Sequence, residues 1–446
     1  MLELDVEDLD HQGRGIGRHE GVVVLVEGAL PDERVRVRVE HRGRRHWVAS
    51  LLEVLTPSPH RRRPPCILAD HCGGCSLQHL SQEGQDAWTM RRLEETLRRL
   101  GGLEVSIRPL LAAASEFGYR NRAVIPLQRQ ASGALKAGYY RRGSHRIVNM
   151  NRCPVLDPRI DRLIAPLKAD LEATGWSADP HHGILRHLSL RVGHGSGQVL
   201  ITLVASQDEL PGLRELAADW LERWSDVVGV GLNLQPNPTN VLFGERTLVL
   251  AGQDHLMESF GGLELEIGPD TFFQVNTAQA ERVLPLLIEA LPPEPGVLVD
   301  AYCGIGTFSL PLARLGWQVL GLESHPGAVA RAQANAHRLN LADRAHFAVG
   351  DVGALLDDHL TAAGPQARLL LDPPRRGLDR VVVEVIRERT PRQVLYLSCD
   401  PATLSRDLAL LSEGNLYRVE WAQPLDFFPA TTHGETFVVL SSAALP

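Results

Sequence analysis

Cys399 ends an apolar run, Leu395-Tyr396-Leu397-Ser398, and a helical pattern follows Asp400-Pro401. A free cysteine is among the most buried of side chains, so taken alone it reads as a small core hydrophobe. Chemistry at a thiol needs a cleft and a partner acid or base. Five other cysteines occur. Cys66, Cys72 and Cys75 fall in CILADHCGGCSL, with five and then two residues between them, and Cys153 follows in NRCPVL. Glycine-separated thiols in a long chain suit a metal site, and spacing alone allows zinc or a cubane cluster. The Cys153-Pro154 pair and the long gap before it lean toward [4Fe–4S]. Cys303 belongs to a glycine turn, which leaves Cys399 without a structural task.

These groups must be held by the elements around them. After about residue 261 the chain alternates apolar strands with helical stretches. Strands are expected at Val297–Ala301, Gln318–Leu322, Ala345–Val349, Leu369–Leu371 and Val394–Leu397, with closing strands at Arg418–Trp421 and Thr436–Leu440. Continuous apolar strands with helical crossovers imply an α/β fold with a doubly wound, mostly parallel sheet, whose ligands lie beyond the carboxyl ends of the strands. Those ends form an ordered set. The first opens into Tyr302-Cys303-Gly304-Ile305-Gly306, where Gly304 lets backbone approach a ligand; Ser309 stands where a dinucleotide fingerprint wants a third glycine. The second ends in Glu323, placed for ribose hydroxyls, and the third in Asp351, placed for an adenine amino group. Together they resemble a site for S-adenosylmethionine. The fourth ends in Asp372-Pro373-Pro374-Arg375, a rigid edge whose carboxylate can hydrogen-bond a base; the fifth ends in Cys399.

A thiol facing a methyl donor suits one demanding reaction. Carbon 5 of uracil is a poor nucleophile until a thiolate adds to carbon 6, after which a base must remove the carbon 5 proton. Glu435 in Thr432-His433-Gly434-Glu435 opens the last strand and is the candidate base, with His433 as competitor. The helix after Asp400 is expected to stabilise the thiolate through its N-terminal dipole. Methylation of an exocyclic amine is a rival chemistry that would not need Cys399, and Arg375 in place of an aromatic residue counts against it.

Upstream, residues to about 56 read as short strands and tight turns. Arg34-Val35-Arg36-Val37-Arg38-Val39 alternates with period two, implying a small five-stranded barrel with a cationic face. Pro57 to Pro65 reads as a stiff linker. Residues 66 to about 260 mix helices and strands, including a helix over Glu83–Leu100 ended by Gly101-Gly102. The 446 residues carry a net charge of −8, which alone argues against nucleic acid, yet nine arginines lie between Arg34 and Arg63 against only Glu40 and Glu53. Further basic clusters with aromatic neighbours at Tyr119–Arg122 and Tyr139–Arg142 suit an RNA backbone. No apolar run approaches the roughly 20 residues of a membrane span, and MLELDVEDLD lacks the features of a signal peptide, so a cytoplasmic protein is expected.

Taken together these residues resemble the RNA uracil-5-methyltransferase family, in particular its bacterial branch acting on 23S rRNA. The resemblance spans essentially the whole chain: GRGIG and VVVLVEGALPDERVRVRV resemble a TRAM domain, and GPDTFFQVNT, DAYCGIGTFSLPLA, GLESHPGAVARAQANA, LLLDPPRRGLD and LSCDPATLSRDL resemble the family's ordered motifs. It implies a class I methyltransferase domain over 263–446, a TRAM-like barrel over 1–57, and a central α+β domain over 58–262 holding a [4Fe–4S] cluster on Cys66, Cys72, Cys75 and Cys153. It implies Cys399 as nucleophile, Glu435 as base, and Gln274, Tyr302, Glu323 and Asp372 along S-adenosylmethionine. Asp400 replaces a common asparagine and Ala301 a common leucine. The implied partner is structured RNA, most simply 23S rRNA, bound by a monomer without a membrane or obligate protein partner. A tRNA uridine, or RNA binding by an iron–sulfur protein with an inactive methyltransferase domain, remain open alternatives.

Overall fold

The computed structural model describes residues 1–443. Strands β1 (Leu2–Leu9), β2 (Gly15–His19), β3 (Val22–Glu27), β4 (Arg34–Arg42) and β5 (His46–Thr56) close into a barrel of order β1-β2-β3-β5-β4. Period-two alternation turns Val35 and Val37 inward onto Leu4, Val6, Val24, Val26 and Ala49. The arginines between them face outward, but the expected cationic face is ion-paired. Arg34 and Arg36 bind Glu3, Arg36 also binds Glu53, and Arg38 binds Glu40. Glu40 lies on β4 itself, but Glu3 and Glu53 come from the neighbouring strands β1 and β5, and a pattern read along β4 alone does not reveal them. The expected linker is docked too. Buried Glu33 accepts from Arg61 and from the backbone N of Leu30 (2.8 Å) and Ser58 (3.3 Å).

Helix α1 (Gln82–Gly101) is capped by Ser81, which accepts from Gly84 N, and ends at Gly102 in the left-handed region (φ 63°). A six-stranded sheet follows. It comprises β6 (Arg122–Arg129), β7 (Leu135–Ala137), β8 (Leu185–Val192), β9 (Val199–Ala205), β10 (Val227–Leu234) and β11 (Arg246–Gly252), in the order β11-β10-β9-β8-β6-β7. Helices α2 (Pro158–Ala173) and α3 (Leu213–Arg223) cover it, with Trp220 fully buried. The hairpin β12 (Leu256–Phe260) and β13 (Leu263–Ile267) turns at Gly261-Gly262, both at positive φ, so the expected boundary at 262/263 lies in this turn.

Helices α4 (Thr277–Glu281) and α5 (Val283–Ala290) then lead into the large sheet. Its strands are β14 (Val297–Ala301), β15 (Gln318–Glu323), β16 (Ala345–Val349), β17 (Arg368–Leu371), β18 (Gln393–Ser398), β19 (Tyr417–Leu425) and β20 (Glu435–Ser442). The order is β16-β15-β14-β17-β18-β20-β19, with β20 antiparallel to its neighbours. Helices α6 (Ser309–Arg314), α7 (Pro326–Arg338), α8 (Val352–Ala363), α9 (Arg380–Arg389) and α10 (Pro401–Ser412) connect the strands. Leu395 and Leu397 of β18 enter the core on one side of the sheet, Val394 and Tyr396 the core on the other. That two-sided burial is why the sequence there is unbroken apolar residues rather than an alternation. The strand order reverses between β14 and β17, which run parallel, and this switch point opens a crevice at their carboxyl ends. Among the described residues no helix is long and apolar enough to cross a membrane.

The two-sided core sets an expectation for stability. Leu370→Ala, at a side chain 1 % exposed, should cost about 2–5 kcal/mol, while Ile288→Ala, at one 51 % exposed, should stay within about 0.5 kcal/mol. Urea unfolding midpoints of the two variants check this.

Candidate active site

The turn after β14 is built on positive φ. Tyr302 (69°), Gly304 (56°) and Gly306 (81°) all lie in the left-handed region, and the N–H groups of Tyr302 and Cys303 donate to Leu322 O at 2.9 and 3.1 Å. A Cβ on Gly304 would meet only Phe272 O, at 3.9 Å, so open space faces the backbone there. Phe272 is 59 % exposed beside it. Glu323, ending β15, is already fixed: it accepts from Gly304 N (3.2 Å), Ser324 Oγ (3.1 Å) and His325 N (2.8 Å). Asp351 is exposed at the head of α8 and makes no side-chain capping bond. Tyr302, Gly304 and Glu323 thus gather around the glycine turn, and Asp351 lies one strand further on.

Asp372 follows β17 and accepts from Gln274 Nε2 at 3.0 Å. Burial raises its carboxyl to about 7, with Asp300 adding and Gln274 opposing. Asp300, a group the sequence reading passed over, is 2 % exposed, takes a hydrogen bond from Ser309 Oγ, and is likewise raised to about 7 by burial. The one sequence signal for it was an acid inside an otherwise apolar strand.

Cys399 directly follows β18 and is half-buried. The antiparallel register pairs Ser398 with Thr436, so one step further Cys399 stands opposite Glu435, the first residue of β20. Glu435 is 6 % exposed, and its Oε2 has no hydrogen-bond partner among the described residues. Burial, with Asp372, holds its acid well above the carboxylate range, and Arg375 opposes them. Burial raises the Cys399 thiol to about 12, aided by Glu435 and Asp372 and again opposed by Arg375. The expected help from the helix N-terminus is offset by the helix's own cap. Asp400 caps α10, accepting from Ala402 N (2.9 Å) and Thr403 N (3.0 Å), and so occupies the N–H groups that would face a thiolate. His433, the competing base, is exposed and packs edge-on against Phe428. Asn276 caps α4 and donates to Phe427 O, which makes it part of the scaffold.

Cys66, Cys72, Cys75 and Cys153 line one cavity of ≈ 200 Å³ with Tyr119 and Tyr139. Among the described residues no three His, Cys, Asp or Glu side chains converge on a position for a single metal ion. Gly74 N donates to Cys72 Sγ at 3.4 Å. Thr431 closes one side of this cavity, four residues before Glu435.

Comparison with known proteins agrees with this geometry. Residues 262–349 and 359–443 match the tRNA (Uracil-5-)-methyltransferase family model, and residues 1–44 match the TRAM domain. An uncharacterized RNA methyltransferase of Parasynechococcus marenigrum is 50% identical over 98% of this chain and 95% of its own length. Another, from Synechocystis, is 43% identical over 99% of this chain and 96% of its own. Among solved structures, the Pyrococcus abyssi tRNA (uracil-54, C5)-methyltransferase in complex with S-adenosyl-L-homocysteine is similar, with a TM-score of 0.77 and 26% identity over 98% of this chain and all of that one. With the crevice, the opposed thiol and acid, and these matches over nearly its whole length, the chain belongs to the RNA uracil-5-methyltransferase family and carries an N-terminal TRAM domain.

Proposed function

We propose that this S-adenosylmethionine-dependent RNA uracil-5-methyltransferase modifies a uridine of 23S rRNA, with Cys399 as nucleophile and Glu435 as base. The observation that carries the catalytic assignment is the β18–β20 register, which sets the thiol opposite an unpartnered buried acid. The target uridine, flipped from its loop, enters the crevice beside them, with the thiol on one face of the ring and the methyl donor on the other. The Cys399 sulfur bonds to carbon 6, and the electron pair moves through carbon 5 to the carbon 4 oxygen. S-adenosylmethionine would supply an electrophilic methyl carbon, to which carbon 5 bonds as the methyl–sulfur bond breaks and S-adenosylhomocysteine leaves. Glu435 then takes the carbon 5 proton, the 5,6 double bond re-forms and the thiolate leaves. Asp372, held by Gln274, is set to orient the base; Tyr302, Gly304, Glu323 and Asp351 are assigned to the methyl donor. An acid with a raised pKa is a stronger base once ionised, which suits Glu435 to this proton.

The four cysteines line one cavity, and the family resemblance favours a [4Fe–4S] cluster there over a single zinc. Cys66, Cys72, Cys75 and Cys153 would hold the cluster, which would supply a cross-link; the methyl transfer itself moves no electrons. The rRNA reading rests on the family resemblance, which takes in the barrel at residues 1–57 and the cysteine-bearing region 58–262 beside the catalytic part at 263–446. A tRNA uridine is the second reading, favoured by the similarity to the Pyrococcus abyssi enzyme.

Three outcomes test these assignments. With 5-fluorouridine at the target position, 23S rRNA fragments should form a denaturation-resistant adduct, because no proton can be removed; Cys399→Ala should abolish it. Glu435→Gln should slow turnover about 10²–10⁴-fold while adduct accumulates on ordinary RNA. Methyl incorporation into tRNA transcripts and none into 23S fragments would replace the rRNA assignment by the second reading. The pH profile provides the next outcome. The thiolate is the reactive form and the Cys399 thiol stands at about 12, so the thiolate fraction grows as pH rises toward that value. Accordingly kcat/KM for RNA should climb from pH 7 to 9, by up to about tenfold per unit. A flat profile would mean that ionisation of Cys399 does not limit the step. Finally, anaerobically purified protein should be brown with about four irons per chain, and Cys75→Ala should lose them. Stoichiometric zinc in colourless protein would refute the cluster.

A further inference from the structure

Two arginines outside the crevice hold one of its walls. The β6–β8 register pairs Arg122 with Arg191, so their side chains leave the same face of the central sheet. There they meet the segment that leads into Gln274. Arg191 Nη2 donates to Thr271 O at 2.6 Å, Arg122 Nη1 donates to the same oxygen at 3.2 Å, and Arg122 Nη2 donates to Pro269 O at 3.0 Å. Beside them Asn121 Nδ2 donates to Gln274 O at 2.9 Å, and Asn121 N to Val275 O at 2.9 Å.

Arg191 is 4 % exposed, and its Nε and Nη1 have no partner among the described residues; Nε of Arg122 has none either. A buried guanidinium with unmet donors is costly unless the contacts it does make are needed. The acids that face Arg191 are Asp270 and Glu258, and both are engaged elsewhere. Asp270 accepts from Thr247 Oγ1, and Glu258 accepts from His194 N, Gly195 N and Thr277 Oγ1. The two arginines therefore serve the backbone carbonyls of Pro269 and Thr271. Three residues beyond Thr271, the Gln274 amide reaches Asp372.

We propose that Arg191 and Arg122 are positioning residues for the methyl-donor side of the crevice: from the central sheet they fix the carbonyls of Pro269 and Thr271 and, through them, the place of Gln274. The inference rests on the assignment of Gln274 to the S-adenosylmethionine side. It makes cofactor affinity a property of the central sheet as well as of the methyltransferase sheet.

The test measures S-adenosylhomocysteine binding by calorimetry, and KM for S-adenosylmethionine and RNA separately, on the full chain. Arg191→Met should weaken cofactor binding about tenfold and raise KM for S-adenosylmethionine alike, with KM for RNA unmoved and rate recovered at saturating cofactor. Arg191→Lys, which can still donate to Thr271 O, should restore at least half of the affinity. Arg122→Met removes the other donor at a less buried position and carries the same expectation, so the test survives a variant that fails to fold. Cofactor affinity unchanged in both Met variants, where Gln274→Ala loses it, would overturn the clamp alone. A Gln274→Ala variant that binds cofactor like the parent overturns the assignment of Gln274, and the clamp with it.

Discussion

The antiparallel pairing of β18 with β20 is the constraint on which the rest of the site depends. A wholly parallel sheet would send every strand end with chemistry to one edge, but each would arrive from a strand running the same way. Because β20 runs back along β18, its first residue meets the last residues of β18, and Glu435 stands opposite Cys399 without a loop having to fold over the crevice. Thr436 to Leu440 continue as a buried strand against Val394 to Ser398, so a one-residue slip would swap side chains between the two cores and move the acid off the thiol together. Packing and chemistry are fixed by the same ladder.

The electrostatics of the crevice follow from how deep that ladder lies. Asp300, Asp372 and Glu435 are all pushed upward by burial, and Asp300 adds to the shift at Asp372. Cys399 is raised by the same burial and by two of those acids. Burial therefore favours the protonated forms in the crevice, with Arg375 as the cation that opposes this at both Cys399 and Glu435. Such a site is reactive only once the charge within it is rearranged, which is suited to a thiol that must attack one uridine and remain inert toward everything else.

Much of this was legible in the sequence because the signals were local. Strands buried on both faces wrote themselves as unbroken apolar runs, and the glycine turn, Glu323 and the Asp-Pro-Pro edge came at their ends. What stayed hidden depended on partners distant in the chain. The arginines of β4 looked like a cationic face because Glu3 and Glu53 reach them from other strands. The helix after Cys399 looked like a thiolate stabiliser because nothing in CDPATL says that Asp400 turns back to cap it. Arg122 and Arg191, separated by 69 residues of sequence, meet only through the register of β6 with β8.

The segment between β19 and β20 depends most on such distant partners. Glu435 ends a loop whose residues are held from three places. Ala430 accepts from Leu77 N (2.9 Å) and donates to Gln85 Oε1 (2.7 Å), Arg92 donates to Thr432 O (2.5 Å), and Thr431 forms part of the cysteine-lined cavity. Ala430 sits at φ 65°, a left-handed conformation that costs an L side chain about 1 kcal/mol and persists only where its surroundings determine it. Those surroundings are α1 and the cysteine-bearing loop, more than 300 residues earlier in the chain. The sequence around Glu435 can mark an acid at the start of a strand. What orders the approach to that acid is written in residues 66–92, so the cysteine cavity and the catalytic crevice form one continuous structure rather than two neighbouring sites.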